Sequence, residues 1–497
     1  MYKSTVRNQI KLYPRTIDEI IPKDHLSRFI IEIVNRLDLA DIHNKYSDLG
    51  QNAYDPRMML TLLFYSYMNG IFSSRKIEEQ CKENINYMFI CAEKVPDFRT
   101  ISDFRKNNLE MFQNYFIQIL LTLKNAGLAE FSEVAIDGTK IKANAASRNT
   151  KSKEQLQNLI KSAEQQVVEM LQQAATAASE EEISVDYNRS AKQTKARIKK
   201  MKKALAALEA DPEREKINLT DFDCTLQKGV GAGYNAQLAV DTVTQLALGG
   251  TVVTNRNDSA QLLPMIDLVE KNTCTENQEK TVLADTGYAS AGALAVLATK
   301  PHLNAYVPPR SPESNCGRAK GKYNMSHFMF NEETQTYICP NNQPMSYLKH
   351  AFKSNGQGYT SYKGVGCPDC PLKTKCTKTS YRSISVYDNE ELVAAMRVKT
   401  ASDAGKRASK RRSQTVEPTF GVLKECKNFR KFHLRGLEKV RGEWMLMLIS
   451  YNIGKIYAMV QRRNGFYPLN LTVYLFFKVI NQLIFVKSAY FRFPCKN

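Results

Sequence analysis

The sequence predicts a mixed α/β protein whose sheet follows a helical module and is interrupted by two insertions. Three observations carry this. Apolar residues recur at helical spacing through residues 1–125. From Val134 to Lys300, short apolar runs alternate with helical stretches, as strands joined through helices do. Residues 151–216 and 301–400 break that alternation with compositions of their own.

In the first region "HLSRFIIEIVNRL" and "PRMMLTLLFYSYMNGI" have amphipathic spacing, and Asp55-Pro56 supplies an N-cap followed by a first-turn proline. "SSRKIEEQCKENINYMFI" and "DFRTISDFRKNNLEMFQNYFIQILLTL" add helices behind Ser, Thr and Asp starts. The module carries Arg57, Arg75, Lys76, Arg99, Arg105 and Lys106, which either meet a polyanion or are ordinary solvated charges. Residues 151–210 are rich in Ala, Gln, Glu and Lys with sparse apolar stripes, which reads as an antiparallel helical hairpin set into the sheet domain. Its run from Lys195 to Lys203 reads first as a solvated helix face. "GYNAQLAVDTVTQLALGGTVVT" alternates like a strand pair, with Gly249-Gly250 as the expected turn. A helix in "SAQLLPMIDLVEKN", a strand in "KTVLADTGYAS" and a helix in "AGALAVLATK" follow.

At 497 residues the chain is expected to hold about three units, on a prior of roughly 150 residues each. A net charge of +20 and a pI near 9.3 favour an anionic partner, nucleic acid ahead of membrane. No basic-then-apolar leader opens the chain, so the expectation is an intracellular protein whose eleven cysteines are not a disulfide framework. The apolar stretch 469–486 is interrupted by Asn470, Lys478, Asn481 and Gln482 and reads as a packing or frayed segment rather than a membrane span.

The chemistry is concentrated in three acids. In "FSEVAIDGTKIKANA" the run Val134-Ala135-Ile136 ends at Asp137-Gly138. A carboxylate at the end of a buried strand is either a turn former or part of a site. "TVLADTGYAS" repeats the pattern with Val282-Leu283-Ala284, Asp285 and Gly287, so two acids are placed to converge on one sheet edge. The third is Glu417, in a segment from Thr415 to about Lys427 with helical spacing at Val416, Phe420 and Leu423. Lys424 lies two helical turns beyond it, and Arg411 and Arg412 stand upstream. Three carboxylates suit two hard divalent cations, Mg²⁺ or Mn²⁺, and an in-line displacement at phosphorus. With six histidines and no HExxH, phosphodiester chemistry fits better than peptide hydrolysis. Asp223, Asp241 and Asp258 compete as ligands but lack the strand-end-plus-glycine context. Cys339, Cys367, Cys370 and Cys376 offer a tetrahedral structural Zn²⁺ site; the other reading is reduced cysteines in a small β-rich insertion.

Taken in order, "VAIDGTKIKANA", "VLADTGYAS" and "VEPTFGVLK…FHLRGLEKVRGEWMLMLISYNIGKI" resemble the first Asp, second Asp and Glu regions of DDE transposases of bacterial insertion sequences, within the RNase H-like superfamily. "YDPRMMLTLLFYSYMNGIFSSRKIEEQC" with "PDFRTISDFRK" is similar to the helical N-terminal domain of the same group, and the resemblance spans roughly residues 10–458. It implies Asp137, Asp285 and Glu417 as the metal-binding triad. It matches a Glu-x6-Lys element through Lys424, with Arg412 as the phosphate-contacting arginine. The family form has three residues between that Arg and the Glu, whereas Arg412 and Glu417 leave four, with Ser413 at the nominal place. The implied organisation is a DNA-binding helical domain at 1–125 using Arg57, Arg75 and Lys76, an RNase H-like domain at 126–300 and 401–460, a helical hairpin at 151–216, a Cys-rich insertion at 301–400 and a tail at 461–497. The implied function is to bind the ends of the element, cut DNA and join 3′ ends to a target. Two alternatives stand beside it: a metal-dependent nuclease without strand transfer, and a non-catalytic DNA-binding derivative. The expected partners are element-end and target DNA and further copies of the chain, as a homodimer or larger, with no membrane and a cytoplasmic, nucleoid-associated location in a bacterium.

Overall fold

The structure is a computed structural model that describes residues 16–46, 53–176, 181–310, 323, 325–352 and 358–463. The apolar stretch 469–486, and the tail beyond residue 463, lie outside the described residues. Among those described, no helix is long and apolar enough to cross a membrane.

Between Ile17 and Asn125 the chain forms the expected helices. Asp55 accepts the Arg57 N–H at 2.8 Å and Pro56 occupies the first turn, which fixes where Pro56–Met68 begins. Ten residues in succession, Met59 to Met68, are buried there, so this helix is surrounded by protein on every side. Asp97 caps Phe98–Asn107 in the same way, accepting from Arg99 at 2.7 Å and Thr100 at 3.1 Å.

The sheet is built on the strand Glu133–Lys142. Gly231–Asp241 lies antiparallel on one side, with Asp137 opposite Leu238, and Lys280–Ala284 lies parallel on the other, with Ile136 level with Ala284. Leu303–Tyr306 continues the parallel side, while Thr225–Gln227 and Ala247–Val253 both pair with Gly231–Asp241. Leaving aside the three-residue strand Thr225–Gln227 and counting the other five along the chain, their spatial order is third, second, first, fourth, fifth: an RNase H-like mixed sheet.

The turn expected at Gly249-Gly250 is elsewhere. The chain reverses at Thr242–Gln245, where Asp241 accepts both the N–H and the hydroxyl of Thr244 at 2.6 Å and Gln245 has φ +57°. The two glycines lie inside the strand Ala247–Val253, beneath the helix Leu437–Arg463. A Cβ on Gly250 would stand 2.7 Å from Trp444 Nε1, so glycine there permits a close helix-to-sheet approach.

The helical hairpin is Lys153–Thr176 against Glu181–Ala210, with a separate core including Leu156, Ile160, Val167, Ile198 and Met201. Its basic run turns Ile198 and Met201 inward and leaves the intervening lysines in solvent, where Lys202 pairs with Glu164 at 2.7 Å. In the Cys-rich insertion a three-stranded sheet, Met345–Phe352, Gly358–Gly364 and Ser383–Tyr387, covers a core whose buried members are Phe328, Met345 and Ile384.

The N-terminal helices and the sheet share one continuous core, from Phe29 through Val134 and Val282 to Val460. Polar groups cross the same boundary. Arg105 donates to the Tyr67 hydroxyl at 3.0 Å and to the Phe72 carbonyl at 2.8 Å, and Tyr67 donates to Glu443 at 3.2 Å. Glu443 is fully buried and also accepts the backbone N–H groups of His433 and Leu434, each at 2.9 Å.

Candidate active site

Asp137 stands neither at a turn nor at the end of its own strand. Glu133–Lys142 runs on through it, paired residue by residue with the neighbour until Lys142 faces Gly233. What ends is the strand on the other side. Lys280–Ala284 ends immediately before Asp285, and the register Ile136–Ala284 leaves Asp137 level with Asp285, which caps the turn Thr286–Tyr288 just past the end of the parallel strand. From Asp137 to Ile141 the first strand has a strand partner on one side only, before Lys142 bridges to Lys431, and this opens the sheet edge at the two carboxylates.

The glycine that follows Asp137 makes room for a third carboxylate, and the one after Asp285 lies beside it. A Cβ on Gly138 would lie 2.5 Å from Gln237 Nε2 and 2.8 Å from Asp258 Oδ1, and one on Gly287 would face Asp258 Oδ2 at 3.8 Å. Asp258 Oδ1 accepts from Asn235 at 2.6 Å and Gln237 at 2.7 Å, with Lys140 at 3.4 Å. Sequence reasoning ranked Asp258 with Asp223 and Asp241, and only Asp258 comes to this site. Asp223 instead accepts the Leu437 N–H at 2.8 Å, and Asp241 serves its turn. The available signal for Asp258 is Gly138, whose missing Cβ leaves the space its carboxylate fills.

The helix that carries Glu417 is longer than its apolar spacing predicts, Asp403–Gly421, and starts at a Ser402 cap. Arg411 and Arg412 therefore lie within it. Arg411 grips Glu133 through two bonds of 2.8 Å. Arg412 donates to Asp137 Oδ2 at 2.9 Å, and its other terminal nitrogen is 3.9 Å from Glu417 Oε1. The extra residue between Arg412 and Glu417 thus still leaves the guanidinium between the first and third acids. Past Gly421 the helix widens into a π-turn, Val422–Cys426, a feature found frequently at functional sites. Lys424, expected on the face of Glu417, is turned onto the first strand, where it donates to Thr139 Oγ1 and to the Lys140 carbonyl at 3.3 Å. Burial lowers its pKa.

Burial raises the Asp137 carboxyl above the usual range, and neighbouring Asp285 adds to the shift; the Gly138 N–H and Arg412 oppose it. Tyr288 donates to Gln237 Oε1, and its hydroxyl is raised first by burial and then by Asp258, Asp137 and Asp285, with Arg412 again opposing. Three carboxylates and one guanidinium thus act electrostatically on a single buried phenol.

Among the described residues, no three His, Cys, Asp or Glu side chains are gathered closely enough to hold a metal ion between them. For the acids the reason is visible: Arg412 fills the space between Asp137 and Glu417, and the Glu417 side chain is 66% exposed. The donor chemistry nonetheless fits a hard divalent cation, because it is all oxygen and the guanidinium already occupies the position of a positive charge beside a desolvated carboxylate. The four insertion cysteines line one cavity of about 30 Å³. Burial raises the Cys376 thiol, and Cys367, Cys339 and Cys370 act on it in the same direction against Arg382.

Of the basic residues expected on the helical module, Arg57 sits 3.2 Å from His43 Nε2, Arg75 lies over the Phe98 ring at 4.6 Å, and Lys76 is exposed. None of these three forms an ion pair among the described residues. Arg105 is buried and committed to Tyr67 and Phe72.

In comparison with known proteins, residues 15–107 match the Transposase domain (DUF772), and residues 338–457 match the Transposase DDE domain. The second match includes the four cysteines, Arg412, Glu417 and Lys424; neither extends over Asp137 or Asp285. Among solved structures, the chain is similar to the piggyBac transposase synaptic complex with hairpin DNA, at 10% identity and a TM-score of 0.31, over 95% of this chain and 81% of that one. No curated protein matches the chain.

Proposed function

With a transposase domain at residues 15–107 and a transposase DDE domain at 338–457, the chain is of the DDE transposase type, and we propose that it binds the ends of an insertion sequence, cuts DNA there and joins the freed 3′ ends to target DNA. The observation that carries this reading is the placement of Asp137 level with Asp285, just past the end of the neighbouring parallel strand, with Arg412 bonded to Asp137 and reaching towards Glu417.

In this reading Asp137, Asp285 and Glu417 hold Mg²⁺ or Mn²⁺. The chemistry such cations supply is activation of an attacking water or 3′-hydroxyl and stabilisation of the leaving oxygen. The chain's own residues prepare the site. Arg412 neutralises Asp137 while the acids are unliganded, and once released it is within the same helix to bind a phosphate in the fork geometry guanidinium favours. Lys424, two residues along the strand from Asp137 through its bond to Thr139, offers a second, point-like positive charge. Asp258 keeps Asn235, Gln237 and Lys140 in a fixed cluster behind the glycines. On the helical module Arg57, Arg75 and Lys76 hold phosphates of the element ends, which positions the duplex. The four cysteines take Zn²⁺ and fold the insertion, since four thiolates leave no open position for chemistry. The working form on DNA is a homodimer or larger assembly.

The test is Asp137→Asn, which removes a charge with almost no change of shape. Cleavage and strand transfer should be abolished in Mg²⁺ while binding to the element ends and folding persist. Near-normal cutting by the variant would reject the site. Cutting by the wild type without joined products would reduce the function to that of a nuclease.

A further inference from the structure

The two acids at the sheet edge are oriented by backbone groups that follow them. Asp137 Oδ1 accepts the Gly138 N–H at 2.7 Å, and Asp285 Oδ1 accepts the N–H of Gly287. Asp285 therefore goes where its turn goes. That turn is Thr286–Tyr288, and the ladder that would hold it to the first strand stops before it, at Ile136–Ala284.

One side chain reaches across the gap. The Tyr288 hydroxyl donates to Gln237 Oε1, and among the described residues no other group of Thr286–Tyr288 hydrogen-bonds beyond residues 285–289. Gln237 lies directly opposite Gly138 in the antiparallel ladder, beside Asp137. A path of fixed contacts thus runs from Asp285 through its turn, Tyr288 and Gln237 back to the strand that bears Asp137.

The surroundings protect this bond. Tyr288 is 1% exposed and Gln237 is fully buried. Burial and the neighbouring acids raise the phenol, so it keeps its proton, and a buried phenolic O–H needs an acceptor. The amide that accepts it is held at its other end, where Nε2 donates to Asp258 Oδ1 at 2.7 Å and to Asn235 Oδ1 at 3.0 Å. The Gln237 carbonyl also accepts from Trp444 Nε1 at 3.1 Å. Gly138 leaves the amide its space, since a Cβ there would stand 2.5 Å from Nε2.

Where two carboxylates share a divalent cation, their separation decides how well it is coordinated, and Mg²⁺ tolerates little departure from octahedral geometry. We propose that Tyr288 is a positioning residue for the metal site, its bond to Gln237 setting the place of Asp285 relative to Asp137. The inference rests on the transposase reading and deepens it with a residue that acts through Asp285 rather than on the reacting atoms.

The experiment uses the full chain with Tyr288→Phe, which keeps the ring and removes only the hydroxyl. Without DNA, Mn²⁺ binding is followed by loss of the free-ion electron paramagnetic resonance signal. The variant should bind about 10–100-fold more weakly, the loss typical of an outer-shell partner. On a duplex of the element's own end, the Mg²⁺ concentration for half-maximal cutting should rise to the same extent, while the rate at saturating Mg²⁺ stays near wild type. Tyr234→Phe controls for mere loss of stability. Tyr234 is also fully buried on this sheet and donates to Asp221 at 2.8 Å, but it faces Ile141, further along the strand from Asp137. Its variant should lower the denaturant midpoint and leave Mn²⁺ binding unchanged. Should Tyr288→Phe not fold, Gln237→Met breaks the same bond from the strand side and should weaken Mn²⁺ binding alike. Wild-type Mn²⁺ affinity in a variant without the bond, or equal weakening in Tyr234→Phe, would overturn the positioning role and leave the transposase reading standing. A wild-type chain that neither binds Mn²⁺ nor cuts the ends would sink both.

Discussion

Replacing Arg412 with Gln tests the view that this guanidinium stands in for a cation. The side chains of Arg412 and Asp137 are 14% and 21% exposed, so their 2.9 Å bond is largely sheltered from water. A hydrogen bond to a charged group in such a setting contributes about 1.5–3 kcal/mol. The 3.9 Å approach to the exposed Glu417 adds only about 0–1 kcal/mol. In the variant Asp137 keeps the Gly138 N–H but faces Asp285 with no positive charge at hand. Without metal the variant should therefore be less stable by about 1.5–3 kcal/mol near neutral pH, reduced by whatever Asp137 recovers on taking up a proton. Mn²⁺ should reverse the ranking of responses. A ligand that binds only the folded state adds about 2.7 kcal/mol at a hundred times its Kd. The wild type must give up the Arg412 bond to accept the cation and the variant has none to give, so Mn²⁺ should bind the variant more tightly, by tenfold for each ~1.4 kcal/mol no longer surrendered. The assay is a set of denaturant midpoints with and without Mn²⁺ at fixed ionic strength. Equal midpoints without metal, or a Mn²⁺ response no larger in the variant, would refute the reasoning.

Three further outcomes are expected. Because the Asp137 pKa is raised on folding, the folded chain holds that proton more tightly than the unfolded chain; the contribution is complete below the ordinary Asp value of about 3.9 and is lost as pH rises through the raised value. Asp137→Asn should therefore gain stability relative to the metal-free wild type as pH climbs from about 4 towards neutrality, and a constant difference between their melting curves would contradict this. Metal analysis under reducing conditions should find about one zinc per chain, lost on Cys367→Ser with loosening of the insertion; active, folded protein without zinc would remove the thiolate site. Gly250→Ala should cost about 1–3 kcal/mol by overpacking against Trp444 and Leu448, read as a lower denaturant midpoint with an unchanged slope, and an unchanged midpoint would show that the helix has room to shift.

Periodicity carried the helices, the hairpin and the strands into view, because burial on one face leaves its spacing in the sequence. Close approach does not. Gly249-Gly250 looks like a turn in one dimension, and only the helix above it explains why side chains are missing. The apolar run suggests a strand end at Asp137, yet it is the adjacent strand that ends there, and a neighbour 148 residues away is invisible to local pattern. The acids, Arg412 and Lys424 were legible as types at a spacing. The bond from Arg412 to Asp137 and the turn of Lys424 onto Thr139 were not, since both depend on a π-turn and on where a long helix begins. Asp258 escaped for the same reason: its partners, Asn235 and Gln237, alternate on a strand whose facing was unknown until the register was fixed.

The buried path from Arg105 through Tyr67 to Glu443 has a consequence for how such a protein changes over time. Glu443 holds the backbone of His433 and Leu434; Phe432 donates to the Lys142 carbonyl at 2.9 Å, and Asn144 to that of His433 at 2.7 Å, so the path ends on the strand that bears Asp137. The helices between Ile17 and Asn125 are therefore not a detachable cassette: removing them would bare Phe64, Tyr67, Phe112 and Phe116 and take from Glu443 the Tyr67 hydroxyl that donates to it. Change without loss of fold is open on the outer surface of those helices, at exposed residues such as Lys76, while the inner surface stays locked to the sheet it covers.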